Sequence, residues 1–351
     1  MKLLYIPSGH PLQECDHCLM WEHMGIDWFS TGYYSEQDKP GDLLFIKNID
    51  NELRRQFLQE NRSTYPTDMA DTLCGVKNKA WTGQVAKNQL KLSKSFLNNF
   101  DTVVISHFIN NWNINKEILS TKKVFLITYG MHPISDEQII KKARKSGVKI
   151  VRNSPIELRR CNNVYDYIIR GCVVKDEHEI SGWNGSLNRV ATFSSFMHLN
   201  TPSTINRRHN YDQVVNNVNG YCDIFGHKSG KFLKHADKIK ILQDYRVNLI
   251  IGTPHANNTY SFVEAWVMGQ PTVVFGPKLW GSPAIEPSIL IENGKTGWVL
   301  DSTKECSNII NELFVNRELA DTISKQARQE AIKIYGRDNL SKLWREAFNG
   351  N

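Results

Sequence analysis

No uncharged apolar stretch in these 351 residues approaches the ~18 needed for a membrane span, so integral membrane association is excluded. The opening apolar run, Leu3 to Ile6, is too short for a signal-peptide core and reads as a buried first strand, which points to a cytoplasmic protein. Cysteine is sparse and irregular. The seven residues, at 15, 18, 74, 161, 172, 222 and 306, are odd in number and too scattered for a secreted disulfide framework. Only Cys15 and Cys18 form a Cys-x-x-Cys pair, with His10 and His23 nearby. A zinc site needs about four placed ligands, and there is no second pair, so reduced, buried thiols are expected rather than a metal. Neither a Gly-x-Gly-x-x-Gly fingerprint nor a Gly-x-x-x-x-Gly-Lys-Ser/Thr loop is present, which removes support for a nicotinamide enzyme or a P-loop ATPase.

What the chain does have is 40% apolar residues and nine tryptophans spread along its whole length, which excludes disorder as its main state. Its length suits two domains. Short β-rich runs alternate with helical periodicity. Strands are expected at Lys2–Pro7, Trp28–Tyr33, Thr102–His107, Lys123–Tyr129, Val148–Asn153 and Tyr165–Arg170. Helices are expected between them, at Asn51–Glu60, Thr82–Asn99, Asn110–Ser120 and Asp136–Ser146. After a charged, glycine-containing stretch from Val173 to Leu187, a second set of strands follows: Arg189–Phe193, Cys222–Phe225, Val247–Ile251, Thr272–Phe275 and Trp298–Leu300. Lys231–Asp244 and Ser261–Met268 read as helices between these strands, and Thr303 to Phe348 as a helical tail interrupted near Gly336. Such alternation means parallel βαβ units. The architecture expected is α/β: an N-terminal doubly wound domain over 1–172, a second over 173–335, and a C-terminal helix over 336–351 packing back on the first.

Ligands of such sheets bind beyond the carboxyl ends of the strands, so the residues just after each strand are the ones to inspect. Ser8-Gly9-His10 follows the first strand, and its glycine permits a sharp turn and a close backbone approach to a ligand. His107 ends the strand Thr-Val-Val-Ile-Ser, and His132 follows Val-Phe-Leu-Ile-Thr-Tyr-Gly-Met; each is placed to meet a substrate, or to be an ordinary loop histidine. The most informative stretch is Gly252 to Gly276. There Glu264 sits on a helix otherwise made of Phe262, Val263, Ala265, Trp266, Val267 and Met268. A carboxylate in that company is buried and needs a partner, either a ligand's hydroxyl pair or a neighbouring Lys or Arg.

The string from Phe262-Val263-Glu264-Ala265 to Met268-Gly269-Gln270-Pro271-Thr272-Val273-Val274 resembles the donor-site signature of GT-B fold glycosyltransferases, in particular the retaining family 4-like group. Asn293-Gly294-Lys295-Thr296-Gly297 is similar to the turn that follows it in those enzymes. The likeness covers about residues 247–302 and is architectural elsewhere. It implies two Rossmann-like domains facing a cleft, with a nucleotide sugar, commonly a UDP-sugar, as donor. It also implies that Glu264 holds the donor ribose, that His132 lines the catalytic cleft, and that Ser8 and Gly9 lie under the donor phosphates; His107 remains a candidate by its position alone. The acidic residue that the family often carries eight positions before the glutamate is Ala256 here, leaving His255, Asn257, Asn258 and Thr259 to contact the sugar. The usual Gly-Arg after the first strand of the second domain is absent, and Arg207 and Arg208, opening a helix, are the basic candidates for the diphosphate. The resemblance implies retention of configuration, with the departing phosphate oxygen accepting the acceptor's proton. No Asp-x-Asp motif occurs in a plausible site, so no cofactor beyond the donor and no metal is expected.

The acceptor is read from charge. Residues 1–172 hold 23 Lys and Arg against 18 Asp and Glu, and the remainder 20 against 18. Within 138–170 alone there are nine basic and two acidic residues, a net +7 equal to the excess of the whole chain. Lys141, Lys142, Arg144 and Lys145 lie on one helix, and such a focus points to a polyanion or to a plain solvated helix face. With only Ile139, Ile140 and Ala143 opposite the charges, a membrane surface is disfavoured against nucleic acid. A bacteriophage-type enzyme glycosylating 5-hydroxymethylcytosine in double-stranded DNA is the favoured expectation, with the basic helix as its DNA contact. The alternatives are a transferase acting on a glycan or lipid-linked sugar, and a non-catalytic module binding sugar nucleotides or nucleic acid.

Overall fold

A computed structural model describes residues 1–7, 11–31, 51–60, 90–129, 134–159, 164–171, 182–194, 197, 201–226, 235–252, 259–281 and 285–350. The chain forms two compact units: Met1–Cys172 together with Leu340–Asn351, and Val173–Asn339.

Unit 1 is built on a six-stranded sheet of β1 (Lys2–Ile6), β2 (Asp27–Ser30), β3 (Thr102–Ser106), β4 (Lys123–Thr128), β5 (Lys149–Arg152) and β6 (Tyr167–Ile168), in the order β2-β1-β3-β4-β5-β6. Every pairing is parallel. The strands follow the sequence expectation with two exceptions. The strand expected over Trp28–Tyr33 is found at Asp27–Ser30, with residues 32 and 33 outside the described residues, and Tyr165–Arg170 pairs only at Tyr167 and Ile168, at the sheet's edge. Its helices are α1 (Pro11–His23), α2 (Asn51–Glu60), α3 (Lys94–Leu97), α4 (Asn110–Leu119) and α5 (Ile134–Lys145). The expected helix over Thr82–Asn99 is described only from residue 90 and is helical over Lys94–Leu97 alone. Residues 90–92 are not helical and are held by the buried Asn115, whose amide accepts from Leu92 N (2.9 Å) and donates to Leu90 O (2.6 Å). Helix α1 carries no clear apolar periodicity and was not foreseen; it contains the Cys15–Cys18 segment.

All five residues of β3 are buried, so the sheet needs cover on both faces. One face, with Leu4, Val103, Ile105, Leu126 and Ile150, packs in a core with Leu53 and Phe57 of α2, Phe96 of α3, Trp112 of α4 and Ile140 of α5. On the other face, Tyr5 meets Trp21 of α1 edge-on at 6.4 Å, and Phe125 meets Trp344 at 6.3 Å and Phe348 at 5.1 Å. Those last two residues belong to a helix from the far end of the sequence, Arg337–Asn349. Its Arg345 donates to Met24 O (3.2 Å), and Lys123 Nζ donates to Phe348 O.

Unit 2 holds a five-stranded sheet, β7 (Leu187–Phe193), β8 (Tyr221–Phe225), β9 (Tyr245–Ile250), β10 (Thr272–Phe275) and β11 (Trp298–Leu300), ordered β11-β10-β9-β7-β8 and again wholly parallel. Its helices are α6 (Pro202–Val215), α7 (His235–Asp244), α8 (Tyr260–Met268), α9 (Pro277–Trp280), α10 (Pro287–Leu290), α11 (Thr303–Val315) and α12 (Arg317–Tyr335); α13 is the Arg337–Asn349 helix of unit 1. The tail expected as helical is these last three helices, broken at Asn316 and at Gly336. No described helix is long and apolar enough to cross a membrane.

Trp344 is 2% exposed, with Trp21 edge-on at 4.9 Å and Phe348 at 5.3 Å. Trp344→Ala is expected to destabilise the protein by about 3–5 kcal/mol, read as a lowered unfolding midpoint in denaturant, because the gap opens in the layer covering Phe125.

Candidate functional site

The strongest motif in the sequence lies on α8. Thr259 caps this helix, its side chain accepting from Phe262 N at 3.4 Å, and Gly269 ends it in the left-handed conformation (φ 80°). Phe262 through Met268 are all buried, and the Phe262 and Trp266 rings stack at 5.4 Å. Glu264 is only 1% exposed. Its carboxylate forms an ion pair with Lys238 of α7, whose ammonium also lies 5.3 Å above the Phe193 ring at the end of β7. A neighbouring cation, one of the two partners the sequence left open for this carboxylate, is thus in place. Lys238 is the principal site residue that sequence reading missed; it lies in the expected Lys231–Asp244 helix, and spacing alone does not link residues 26 apart.

The turn after α8 has a structural part. Trp266 Nε1 donates to Thr296 O (2.9 Å), Glu292 N to Thr296 Oγ1 (3.0 Å), and Val299 N to Asn293 Oδ1 (2.7 Å). Gly297, at φ 138°, would bring a Cβ to 2.9 Å from Thr272 O, so this position requires glycine. The Asn-Gly-x-Thr-Gly string therefore locks β11 beside β10.

Arg207 and Arg208 do not open their helix. Helix α6 starts five residues earlier, where the Thr201 side chain caps it ahead of Pro202, a residue suited to a first helical turn. Arg207 thus falls in the second turn, 4% exposed, and burial lowers its guanidinium pKa below the usual arginine value. Arg208 is half-buried. Both follow the carboxyl end of β7, as do Lys238 for β8 and Thr259 for β9. Ser8, Gly9, His132, His255, Asn257 and Asn258 lie outside the described residues.

In unit 1 the carboxyl ends of β1, β3, β4 and β5 carry a polar network. His107 follows β3 at φ 65°, the one described non-glycine residue with positive φ, a conformation that costs about 1–2 kcal/mol outside glycine. Its amide donates to Ile127 O at 2.7 Å, and its ring lies 6.4 Å from Tyr129. The Tyr129 hydroxyl is 3.1 Å from His17 Nε2, and the Tyr5 hydroxyl 3.0 Å from His17 Nδ1. Burial holds the Tyr129 phenol far above its ordinary pKa, so it stays protonated. Next to it, Thr128 donates to Glu157 (2.6 Å), and the fully buried Arg152 makes a two-pronged pair with Glu137 at 2.7 and 2.9 Å. His17 is thereby bound to tyrosines, and no group of three or more metal-ligating side chains is found among the described residues. The sequence singled out His107 but not Tyr5, His17 or Tyr129; these come from three elements, and no short motif joins them.

Lys141, Lys142, Arg144 and Lys145 are exposed on the last half of α5, and Arg144 pairs with Asp166 at 3.1 Å. They lie on the half of α5 nearer the start of β5, since the helix follows β4 and leads to β5.

No protein-family model and no curated protein matches the sequence. Solved structures do match in fold. HepE of Anabaena, known in complexes with UDP, with UDP-glucose and with UDP and glucose, aligns over the whole of both chains at 12% identity and a TM-score of 0.59. A glycosyltransferase of Rickettsia africae aligns over 99% of this chain and 97% of its own at 11% identity and TM-score 0.63. TarM of S. aureus, in complex with UDP and alpha-GlcNAc-glycerol, aligns over 73% of this chain at 17% identity and TM-score 0.54; the match spans 58% of TarM's length. Two wholly parallel sheets with helices, matched by these structures, give the chain the α/β fold of GT-B glycosyltransferases.

Removing the cation from the buried pair leaves Glu264 as an uncompensated charge. Lys238→Ala is expected to destabilise the protein by about 3 kcal/mol or more in chemical denaturation, and the double variant Lys238→Ala/Glu264→Ala by less than Lys238→Ala alone.

Proposed function

We propose that the protein is a glycosyltransferase that moves a sugar from a nucleotide-sugar donor, a UDP-sugar, to a hydroxyl acceptor. The observation that carries this reading is the buried Glu264–Lys238 pair, beside strands β7 and β9 of a sheet whose fold neighbours bind UDP. Its carboxylate is suited to accept from a ribose diol, and its ammonium to face a diphosphate once the donor enters. Bond breaking at the sugar's anomeric carbon leaves negative charge on that diphosphate. Lys238, Arg207 and the N-terminus of α6 can stabilise it, so this chemistry requires no metal and no further cofactor. With retention, the departing phosphate oxygen takes the proton of the attacking hydroxyl on the same face of the sugar. No strong protein base is then needed, and His107 and His132 of unit 1 are the candidates for orienting the acceptor.

For the acceptor, the net positive charge concentrated in 138–170 supports double-stranded DNA bearing 5-hydroxymethylcytosine, and so an enzyme of bacteriophage DNA modification working in the cytoplasm. The second reading is a glycan acceptor, favoured by the glucose and the alpha-GlcNAc-glycerol bound to HepE and TarM.

Nucleoside mass spectrometry of hydroxymethylcytosine DNA, incubated with the enzyme and a panel of nucleotide sugars, is expected to show a mass gain of one hexose or pentose with a UDP-sugar. Donor consumed without that gain would move the acceptor to a glycan, and no consumption with any donor would overturn the transferase reading. Glu264→Gln is expected to weaken UDP binding at least tenfold. If stability falls while UDP affinity holds, Glu264 is only the partner of Lys238.

A further inference from the structure

The basic helix, whose charge supports a DNA acceptor, ends at the edge of the sheet opposite to the strand ends that carry His107 and Tyr129. Helix α5 begins after β4 and ends before β5. Its 12 residues, about 18 Å long at 1.5 Å per residue, carry the chain from the carboxyl edge of the sheet to the amino edge. Ile140 and Ala143 are fully buried against the sheet, which leaves Lys141, Lys142, Arg144 and Lys145 on the outward side of the amino-edge half. Lys149, which opens β5, adds a fifth cation at the same edge.

A helix C-terminus attracts cations on its own account, and one or two would satisfy it. Here there are five, and among the described residues only Arg144 has a carboxylate partner, Asp166. Lys141, Lys142, Lys145 and Lys149 have no ion pair with any described residue. Five cations less Asp166 leave +4 in one place, more than half of the whole chain's +7. Concentrated charge of one sign is kept at the expense of self-repulsion, and a polyanion relieves it. Among the described residues, this surface lacks the apolar component that a membrane anchor needs. The large apolar side chains exposed among the described residues of unit 1 are Met1 and Ile114, neither on α5, and Ile139 packs against the core.

We propose that this amino-edge face of unit 1 is an anchoring surface for duplex DNA, separate from the acceptor position at the carboxyl edge, which adds affinity without taking part in the chemistry. The inference uses the proposed function only in taking DNA as the polyanion. Its contacts are to phosphates, so it is indifferent to base sequence and sensitive to salt.

The test is fluorescence anisotropy of a short unmodified duplex without any sugar donor, at salt concentrations from about 50 to 200 mM. Lys141→Glu/Lys142→Glu/Lys145→Glu is expected to bind more than tenfold more weakly. The slope of log affinity against log salt should fall by about 3, from three lost phosphate contacts at about 0.9 each. UDP-induced thermal stabilisation should be unchanged, since the substitutions lie in unit 1 and α8 belongs to unit 2. If the charge reversals depress the melting temperature, the Lys→Gln triple at the same positions carries the test, with the same fall in slope. Equal DNA affinity in wild type and variant would overturn the proposal. So would wild-type binding to phosphatidylglycerol vesicles but not to DNA. DNA binding that depends on these lysines, with no sugar transferred to hydroxymethylcytosine, would leave the anchor standing and remove DNA as the acceptor.

Discussion

Parallel pairing is the constraint on which the rest of this structure depends. When all strands of a sheet run one way, every connection must cross back over a face, and all loops following strands gather at one edge. Residues distant in sequence meet there because strand direction leaves them no other place. In unit 2 this brings Arg207, Lys238 and Thr259 after β7, β8 and β9. In unit 1 it brings His107, Tyr129 and Glu157 beyond β3, β4 and β5. The same constraint sends the C-terminal half of each crossover helix to the opposite edge, which is why the lysines of α5 stand apart from these groups.

Parallel sheets also have two faces to bury, and the units meet that demand differently. Unit 2 places Ile239 and Leu242 of α7 against Ala265 and Met268 of α8, beside Phe193. The Glu264–Lys238 pair is set into this apolar contact. A charge pair so buried is sensitive to the loss of either member, and it gives the site a fixed orientation that an all-apolar contact would lack. Unit 1 covers one face with helices α2 to α5 and the other with α1 and α13, where Trp21, Trp344 and Phe348 form the contact layer.

Most of the fold was legible because it rests on local signals. Short β-branched runs such as Thr102–Ser106 suit strands covered on both faces, and Thr272–Phe275 and Trp298–Leu300 coincide with the strands found. Helix α1 was missed because its apolar residues do not recur on one face, and its cover comes partly from α13, more than 300 residues away. In the candidate site, a buried carboxylate at Glu264 followed from the hydrophobicity of its own helix, but its partner did not. Lys238 is one lysine among many until the fold sets α7 against α8. Arg207 was found for its charge and misplaced within its helix, since the capping Thr201 ahead of Pro202 is the stronger start signal. The His17–Tyr5–Tyr129 network combines residues that individually read as core.

The position of α13 also sets the order in which the molecule can be completed. A chain made from its N-terminus produces the whole of unit 1's sheet by Ile168, yet one face of that sheet waits for Trp344 and Phe348. At about 5–20 residues per second, the interval between synthesis of Phe125 and of Phe348 is roughly 10–45 s, during which unit 2 is made and can fold first. Unit 1 therefore presents Phe125 and Trp21 as a transient apolar surface on the ribosome. The last helix closes it, so the N-terminal half of this protein is the last to mature.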